Sequence, residues 1–274
     1  MNKKITVIGS LNYDVILKIP RLPFKGETLT ANGAAFSAGG KGANQAVQAA
    51  KLKTPTYMVG CVGTDASADF LVNTAKEYGV NVDYIRKVPG SSGMGVINAV
   101  EDGSVYACIV RGANFEVTKE DVDNAMPILK ESGVCIQHNE IPVEIIAYAI
   151  DKAKEAGCIV SFDPNLRPPL WKSLDEAKAE IEYGLSKCDI LKISDNEVEF
   201  LFGTTDYDEG ARLIREKYQI PLVLITLGKD GSRAYYKDLR VEVPGFVQEH
   251  KIEPTGAGDT FCANSLNYIL EHGM

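Results

Sequence analysis

The sequence lacks the features that would point to a membrane or to nucleic acid. No apolar run approaches the roughly 20 residues that a helix needs to cross a bilayer. Basic charge is not in excess, because 29 Lys and Arg residues stand against 37 Asp and Glu residues, for a formal net charge of -8 at pH 7. That balance argues against a polyanion as the main partner. We therefore expect small-molecule ligands, no nucleic acid and no membrane.

The six cysteines also lack the pattern of a metal site or a disulfide framework. None forms a C-x-x-C pair, and several lie in apolar runs, as Cys135 does in V-C-I and Cys158 in C-I-V. Buried thiols of this kind stay reduced, which is typical of proteins inside the cell. The N-terminal apolar run is too short for a signal peptide. We expect a cytoplasmic location.

Two common nucleotide-binding loops are absent as well. A Walker A loop needs Ser or Thr directly after its lysine, but Gly42 follows Lys41 in G-G-K-G. No G-x-G-x-x-G follows the first apolar run, residues 5–8, and this counts against a nicotinamide-dependent oxidoreductase.

Short apolar runs alternate with longer helical patterns along most of the chain. The predicted strands are 5–8, 56–62, 133–137, 158–162, 190–193 and 222–226. The predicted helices are 42–52, 67–78, 119–130, 143–156, 174–186 and 208–218. This alternation predicts an α/β fold, a three-layer α/β/α arrangement with a mainly parallel sheet covered on both faces. At 274 residues, 45% of them hydrophobic, the chain can form a single domain over 1–274.

Two segments break the alternation, at about 13–36 and 94–112. They carry period-two patterns such as V-I-L-K-I and S-V-Y-A-C-I-V, with little helical signal. We interpret them as a small β-sheet that stands off the main domain. A thin sheet cannot bury both faces alone, so we expect it to close over an active site, to pack on a second copy of the chain, or both.

The segment P-T-G-A-G-D-T-F, residues 254–261, stands just ahead of an apolar helical run. Gly256, Ala257 and Gly258 would present unpaired backbone N–H groups at the start of that helix, where negative charge is stabilised. A carboxylate at that position can act as a general base, so Asp259 is the catalytic candidate. Phosphoryl transfer to a hydroxyl needs both a base for the hydroxyl and N–H groups that stabilise the phosphoryl group. The alternative is that Asp259 merely favours the helix start.

Two N-terminal motifs carry polar groups next to glycines. Asn12 and Asp14, in G-S-L-N-Y-D, follow the first predicted strand, and an amide with a carboxylate suits a polyol. The second motif, G-G-K-G-A-N-Q-A at 39–46, is a glycine-rich turn into a helix. Taken alone, the first is as typical of a turn and the second of a helix start.

Together these motifs resemble the two signature regions of the ribokinase-like, or PfkB, family of carbohydrate kinases, in the same order and separation. The resemblance implies ATP-dependent phosphorylation of a primary hydroxyl of a small sugar, with Mg²⁺ bridging the phosphates, by a fold with a β lid. It implies sugar contacts from Asn12, Asp14, Gly40, Lys41, Asn44 and Glu140. It implies a nucleotide site at Ser194, Thr226, Gly228 and Gly231, where turn chemistry alone equally predicts a hairpin. It also implies a water-mediated link from Glu197 to the metal, and a homodimer through paired lids.

Three departures from the family pattern bear on the ligands. Ser194, in S-D-N-E, stands where Asn is usual, as it does in fructokinase-like members. The segment D-P-N-L-R, 163–167, resembles fructokinases and ketodeoxygluconate kinases, and its Arg167 is a planar fork that suits a phosphate, so it is a phosphate-side candidate. Glu253 and Pro254 replace the usual Asp-Thr before T-G-A-G-D, which leaves a K⁺ requirement open.

Ribose is the leading sugar, because the residues that would touch the sugar match the ribokinase pattern. A fructokinase or ketodeoxygluconate kinase of the same family is the alternative within the class. A non-catalytic sugar- or nucleotide-binding protein is the alternative from another class, and Ser194 motivates it. So does the end of the chain at Met274, directly after the predicted catalytic helix, where we expect the C-terminal part of the family fold to be truncated.

Overall fold

Strands and helices alternate along most of the described residues, which are 2–168, 171–246 and 256–274 of this computed structural model. The strands are β1 (Ile5–Ile8), β2 (Asn12–Ile19), β3 (Gly33–Gly39), β4 (Thr56–Val62), β5 (Val80–Lys87), β6 (Gly93–Val100), β7 (Val105–Val110), β8 (Val134–His138), β9 (Ile159–Asp163), β10 (Ile190–Ser194), β11 (Leu222–Thr226), β12 (Ser232–Tyr236) and β13 (Leu239–Val243). The α-helices are α1 (Lys41–Lys51), α2 (Ser67–Glu77), α3 (Lys119–Asn124), α4 (Met126–Lys130), α5 (Val143–Glu155), α6 (Leu174–Lys187), α7 (Asp195–Phe202), α8 (Tyr207–Tyr218) and α9 (Ala257–His272).

The larger sheet has the strand order β13-β12-β11-β10-β9-β8-β1-β4-β5 within the described residues. Neighbouring strands from β11 to β5 are parallel, whereas β12 and β13 add an antiparallel hairpin at one edge. The apolar strands supply both faces of this sheet. In β1, Val7 packs into the core on one face and Ile8 into the core on the other, as alternation along a strand requires.

Helices cover both faces of the larger sheet. On one face α1, α2 and α9 pack through residues such as Leu71 and Leu266. On the other face α3 to α8 pack through residues such as Ile150 and Ile214. The predicted three-layer α/β/α fold is confirmed. None of the helices in the described ranges combines the length and the apolarity needed to cross a bilayer.

The smaller sheet, which we call the lid, has the strand order β3-β2-β6-β7. Its central strand β2 begins at Asn12, four residues after β1 ends, so the lid grows directly out of the carboxyl end of a central strand. The ring of Tyr13 stacks on Phe36 within the lid and meets the edge of Phe70 on α2, at centroid distances of 5.9 Å and 5.6 Å. The second contact fixes the base of the lid against α2. The predicted small β-sheet is confirmed.

Several elements differ from the prediction. The predicted helix 119–130 is two helices, because Pro127 lies in the first turn of α4, and a proline has no N–H to continue the preceding helix. The edge strand β5 lies outside every predicted element, although V-N-V-D-Y-I-R-K alternates in the manner of a strand. The helix α7 was also missed, because its first turn was interpreted only as a ligand motif.

Candidate active site

The polar motifs collect at the carboxyl edge of the larger sheet, near β1. Strand order reverses there, since β4 lies on one side of β1 and β8 on the other, and such a reversal opens a crevice. Asn12 follows β1 and Glu140 follows β8, while Asp163 and Ser194 are the last residues of β9 and β10. The helices α1 and α9 bring the glycine-rich motifs to the same edge.

The start of α1 joins the two N-terminal motifs. Gly40 precedes the helix with a φ of 88°, and a Cβ on it would come within 2.9 Å of the backbone of Ser10 and of Asn12. Only glycine allows this conformation and this close approach without strain. Lys41 and Asn44 then follow at a spacing of three, which places both on one face of the helix.

Asp259 lies in the first turn of α9 against that face of α1. Its Oδ2 accepts a hydrogen bond from Nδ2 of Asn44 at 3.0 Å. Its Oδ1 accepts one from Nε2 of Gln45 at 3.0 Å and one from Nζ of Lys41 at 3.3 Å. The structure therefore brings the predicted catalytic residue together with two of the predicted sugar-binding residues. Within the described residues, Oδ2 accepts one bond, from Asn44, and a carboxylate oxygen can accept a second, from a substrate hydroxyl.

The N-terminal turn of α9 offers backbone N–H groups. The helix begins at Ala257, after Gly256, and no side chain caps it among the described residues. The first N–H groups of a helix have no partner inside the helix, and the helix dipole makes this end attractive to anions. Gly258 belongs to the same turn. These are the residues predicted to hold the transferred phosphoryl group, and that role stays a prediction.

A group of four buried charges links α1, α9 and two strands. Nζ of Lys41 lies 2.8 Å from Oδ2 of Asp163 and 3.3 Å from Oδ1 of Asp259. Nζ of Lys192 lies 3.4 Å from Oδ1 of Asp163. Burial alone would lower the pKa of Lys41, but Asp163 and Asp259 raise it well above its ordinary value. Burial opposes ionisation of Asp163, but the ammonium groups of Lys41 and Lys192 hold its pKa below the usual range.

Glu140 connects the lid side of the site to α1. Its Oε2 accepts from Oγ of Ser10 at 2.5 Å and from the backbone N–H of Lys41 at 3.0 Å. Its Oε1 accepts from Nδ2 of Asn165 at 3.2 Å and lies 3.9 Å from the guanidinium of Arg167. Burial opposes ionisation here too, yet neighbouring cations and donors keep the pKa of Glu140 below its ordinary value. A carboxylate is therefore held beside the predicted sugar ligands.

Asn12 and Asp14 lie on β2, at the base of the lid. Oδ1 of Asn12 accepts from Nδ2 of Asn114 at 2.7 Å, and Asn114 itself accepts from the backbone N–H of Leu11. This fixes the amide of Asn12, whose own NH₂ group is then presented for a ligand oxygen. Burial, followed by the charge of Glu140, raises the pKa of Asp14 to about 6. Asp14 and Glu140 thus interact across the predicted sugar site.

A cavity of about 580 Å³ opens beside these residues. Its lining includes Asn12, Glu140, Asn165, Arg167 and Trp171. A volume of this size is within the range of pockets that hold small organic ligands. Arg167 lines this cavity and lies 3.9 Å from Glu140, and its predicted place on the phosphate side stays a prediction.

The predicted nucleotide residues lie at the ends of β10 and β11. Ser194 and Glu197 form a capping box: Oγ and N–H of Ser194 lie 2.8 Å and 2.7 Å from Oε2 of Glu197. Oε1 of Glu197 accepts from the backbone N–H of Leu166 at 2.7 Å. Both oxygens thus bind protein groups, and the water-mediated metal link of Glu197 stays a prediction.

Thr226 ends β11, and Gly228 and Gly231 flank the short turn that leads into β12. The hairpin that turn chemistry predicted is present, because β11 and β12 pair antiparallel. Whether this turn also contacts a nucleotide stays a prediction. Glu253 and Pro254, on which the K⁺ question depended, lie outside the described residues.

The site contains residues that the sequence reasoning missed. Lys192 lies within the predicted strand I-L-K-I and was not singled out. A single charged residue in an apolar strand does, however, indicate a buried charged partner or a functional site. Asp163 was noted only as part of D-P-N-L-R, and Gln45 only as part of its motif. Asn114 stands far from every motif along the chain, and no local pattern points to it.

The fold and the site together define a class of protein. A base candidate at a helix N-terminus, next to carboxylates and amides that suit hydroxyl groups, is what a sugar kinase requires. The two halves of this arrangement come from opposite ends of the chain and meet at α1 and α9.

Comparison with known proteins gives the family. Residues 2–273 match the family described as pfkB family carbohydrate kinase. The chain is 34% identical over 275 residues to a protein named deoxyribokinase from Salmonella typhi, a match that covers 98% of this chain and 86% of that protein. The structure of Arabidopsis thaliana ribokinase complexed with ribose and ATP superposes with a TM-score of 0.86 at 30% identity, covering 100% of this chain and 88% of that one. A probable fructokinase-6, chloroplastic, of Arabidopsis thaliana is 32% identical over 241 residues, which cover 84% of this chain and 62% of that protein.

The chain therefore belongs to the pfkB family of carbohydrate kinases, as the sequence motifs predicted. Pentose kinases and a fructokinase are both among its relatives, so membership leaves the sugar open.

Proposed function

We propose that the protein transfers the γ-phosphoryl group of ATP to a primary hydroxyl of a small sugar, with ribose as the leading acceptor. One observation carries this proposal. Asp259 lies in the first turn of α9 and is held by Lys41, Asn44 and Gln45, from the helix that also contacts Glu140 on the sugar side.

In this reaction Asp259 takes the proton of the acceptor hydroxyl while that oxygen bonds to the γ-phosphorus. The bond from the γ-phosphorus to the β,γ-bridging oxygen breaks at the same time, and ADP leaves. A positioned general base typically contributes about 10²–10⁴ in rate. The N–H groups of Gly256, Ala257 and Gly258 stabilise the phosphoryl oxygens, and loss of one preorganised donor of this kind costs about 10²–10³. Lys41 balances the charge of Asp259 in the resting site.

Asn12, Asp14 and Glu140 orient the sugar. The NH₂ group of Asn12 donates to a sugar oxygen, while Asp14 and Glu140 accept from hydroxyls, which suits a polyol. A pentose is favoured because relatives named deoxyribokinase and ribokinase match over nearly all of the chain. Fructose and ketodeoxygluconate remain the competing acceptors, through D-P-N-L-R, whose Asn165 and Arg167 face Glu140.

The donor set fits Mg²⁺ held mainly by phosphate oxygens and water. Among the described residues, no group of three or more His, Cys, Asp or Glu side chains is placed to hold a metal ion. Mg²⁺ in phosphoryl-transfer enzymes usually keeps several waters and needs only one or two carboxylates. Glu197 would act through water, since both of its oxygens already accept from protein groups. The metal would neutralise charge on the phosphates.

The outer surface of the lid supports a homodimer. Phe36 on the edge strand β3 is 59% exposed, and Tyr106 and Val110 on the opposite edge strand β7 are exposed on the same face of the lid. Apolar groups clustered on a thin sheet mark a contact surface. We expect a dimer by light scattering after size-exclusion chromatography, and a monomer for Phe36→Asp. Val241→Asp, on the exposed edge strand β13, is the control and should leave the mass unchanged.

Kinase activity is tested by ADP release in the presence of ATP and Mg²⁺, with ribose, deoxyribose and fructose compared by kcat/KM. A pentose preference of at least about tenfold, or about 1.4 kcal/mol, supports the assigned sugar contacts. A fructose preference would indicate that Asn165 and Arg167 determine the sugar specificity. A rise in Tm with sugar but no ADP would instead indicate the non-catalytic binding protein.

A further inference from the structure

Lys192 is a lysine inside an apolar strand, and its side chain is only 8% exposed. The other residues of β10 up to Ile193 are buried aliphatic side chains. Burying an ammonium group costs free energy unless a partner compensates it, and a buried ion pair often contributes little net stability. The position of Lys192 therefore points to a role in the site.

Its first neighbour is Asp163, whose side chain is completely buried. Nζ of Lys192 lies 3.4 Å from Oδ1 of this carboxylate, while Oδ2 of the same carboxylate lies 2.8 Å from Nζ of Lys41. Each oxygen of Asp163 thus faces a different ammonium group.

Its second neighbour is the phosphoryl end of α9. The position that a Cβ on Gly258 would occupy is 3.3 Å from Nζ of Lys192. The ammonium group therefore lies against the turn whose N–H groups would hold the phosphoryl oxygens.

Charge balance shows what Lys192 does in this arrangement. Lys41 and Lys192 are two positive charges, and Asp163 and Asp259 are two negative charges. Without Lys192 the group would carry one net negative charge at the point where an anionic phosphoryl group must arrive. Asp163 would also compete with Asp259 for the single remaining ammonium group. Both effects oppose phosphoryl transfer at short range in a site shielded from water.

We propose that Lys192 is a positioning residue for phosphoryl transfer: it neutralises Asp163, so that Lys41 stays available to Asp259 and to the phosphoryl group. This inference rests on the proposed kinase function. It predicts that Lys192 affects turnover strongly and sugar binding weakly, since its contacts are on the phosphoryl side of the site.

The test begins with Lys192→Met, which keeps the length of the side chain and removes its charge. We expect kcat to fall by about 10²–10³, with the KM for the sugar changed by less than about threefold. Lys192→Arg should restore a large part of the lost kcat. The control is Lys154→Met. Lys154 is more exposed and pairs at 2.7 Å with Asp189, which directly precedes the amino end of β10, whereas the site lies at the carboxyl ends of the strands. A Lys192→Met enzyme with the kcat of the wild type would overturn the proposal.

A double variant separates charge compensation from direct contact with the phosphoryl group. Asp163→Asn combined with Lys192→Met removes both charges of the pair and leaves Lys41 to Asp259. If Lys192 acts through Asp163, the double variant should recover at least about tenfold in kcat over Lys192→Met. A double variant as slow as Lys192→Met would refute the compensation argument. If Lys192→Met fails to fold, the double variant still tests the proposal. It removes both charges of the Asp163–Lys192 pair, and its kcat can be compared directly with that of the wild type.

Thermal unfolding without substrate distinguishes this inference from the proposed function. Lys192→Met and Asp163→Asn should each lower Tm by leaving a buried charge unpaired, and the double variant should regain part of the loss. If the wild type forms no ADP with any sugar, the proposed function and the positioning role of Lys192 both fail, whatever the Tm cycle shows. If the wild type is active and the Lys192 variants match it, only the present inference fails.

Discussion

Replacement of Asp259 by Asn tests the central assignment, because an amide keeps the shape of the side chain but cannot take a proton. The loss of a general base predicts a fall in kcat of about 10²–10⁴, equal to about 3–5 kcal/mol in the barrier. The structure also predicts a local cost. Three donors, from Lys41, Asn44 and Gln45, converge on the carboxylate, and the NH₂ group of Asn must face at least one of them. An unsatisfied buried donor costs about 1–3 kcal/mol of stability.

The assay is ADP release at saturating ATP and Mg²⁺, combined with sugar affinity by calorimetry and Tm by scanning fluorimetry. Sugar affinity should change by less than about threefold, because Asp14 and Glu140 are untouched. The control is Asp69→Asn: Asp69 is also an aspartate in the first turn of a helix, but it is exposed and pairs with Lys87 at the surface. A kcat for Asp259→Asn within about threefold of wild type would refute the assignment of the base.

Three further predictions follow from the sugar side of the site. Gly39→Ala should raise the KM for the sugar by about tenfold or more, because the new Cβ would come within 2.0 Å of Oδ2 of Asp14. The control is Gly33→Ala on the same strand, whose Cβ would meet nothing within 4 Å and which should leave the KM unchanged. The pKa of Asp14 is about 6 in the folded state and 3.8 in an unfolded chain, so the folded state binds the proton more tightly. The free energy of unfolding of the wild type, relative to that of Asp14→Asn, should therefore fall as pH rises from about 4 to about 6. Urea unfolding measures this difference, and a difference that does not change with pH would contradict the prediction. Sugar affinity should rise over the same range as Asp14 ionises, and Asp14→Asn should abolish that dependence when titrated by calorimetry.

The fold could be predicted largely from local patterns. Strands such as β1, β4 and β11 are continuous apolar runs bounded by polar segments, and the predicted limits agree with the structure. The errors in the predicted helices have local causes that are visible in the sequence. Pro127 divides one predicted helix, and the capping box of Ser194 and Glu197 begins a helix that had been interpreted only as a ligand motif.

The site could be predicted only where a motif carries its own residues. Asp259, Lys41 and Asn44 were named from glycine-rich motifs, and the structure brings these three into contact. Asn114 was not named, because it is about 100 residues from Asn12 along the chain and no period or motif connects the two. Arg167 was named, but its ion pair with Glu140 was not predicted. Only the packing of the loops after β8 and β9 brings these two residues together.

The pairing of Asp163 with Lys192 shows why the remainder requires a structure. Strands β9 and β10 are parallel, with Ser161 opposite Ile190 and Phe162 opposite Leu191, so Asp163 and Lys192 are the next residues in register. A shift of one residue in that register would send one of the two side chains to the opposite face of the sheet. Neither strand sequence contains this register; it is set by the packing of both cores on either side of the sheet. A single lysine in an apolar strand therefore signals a buried partner, but the sheet topology decides that the partner belongs to the phosphoryl side of the site.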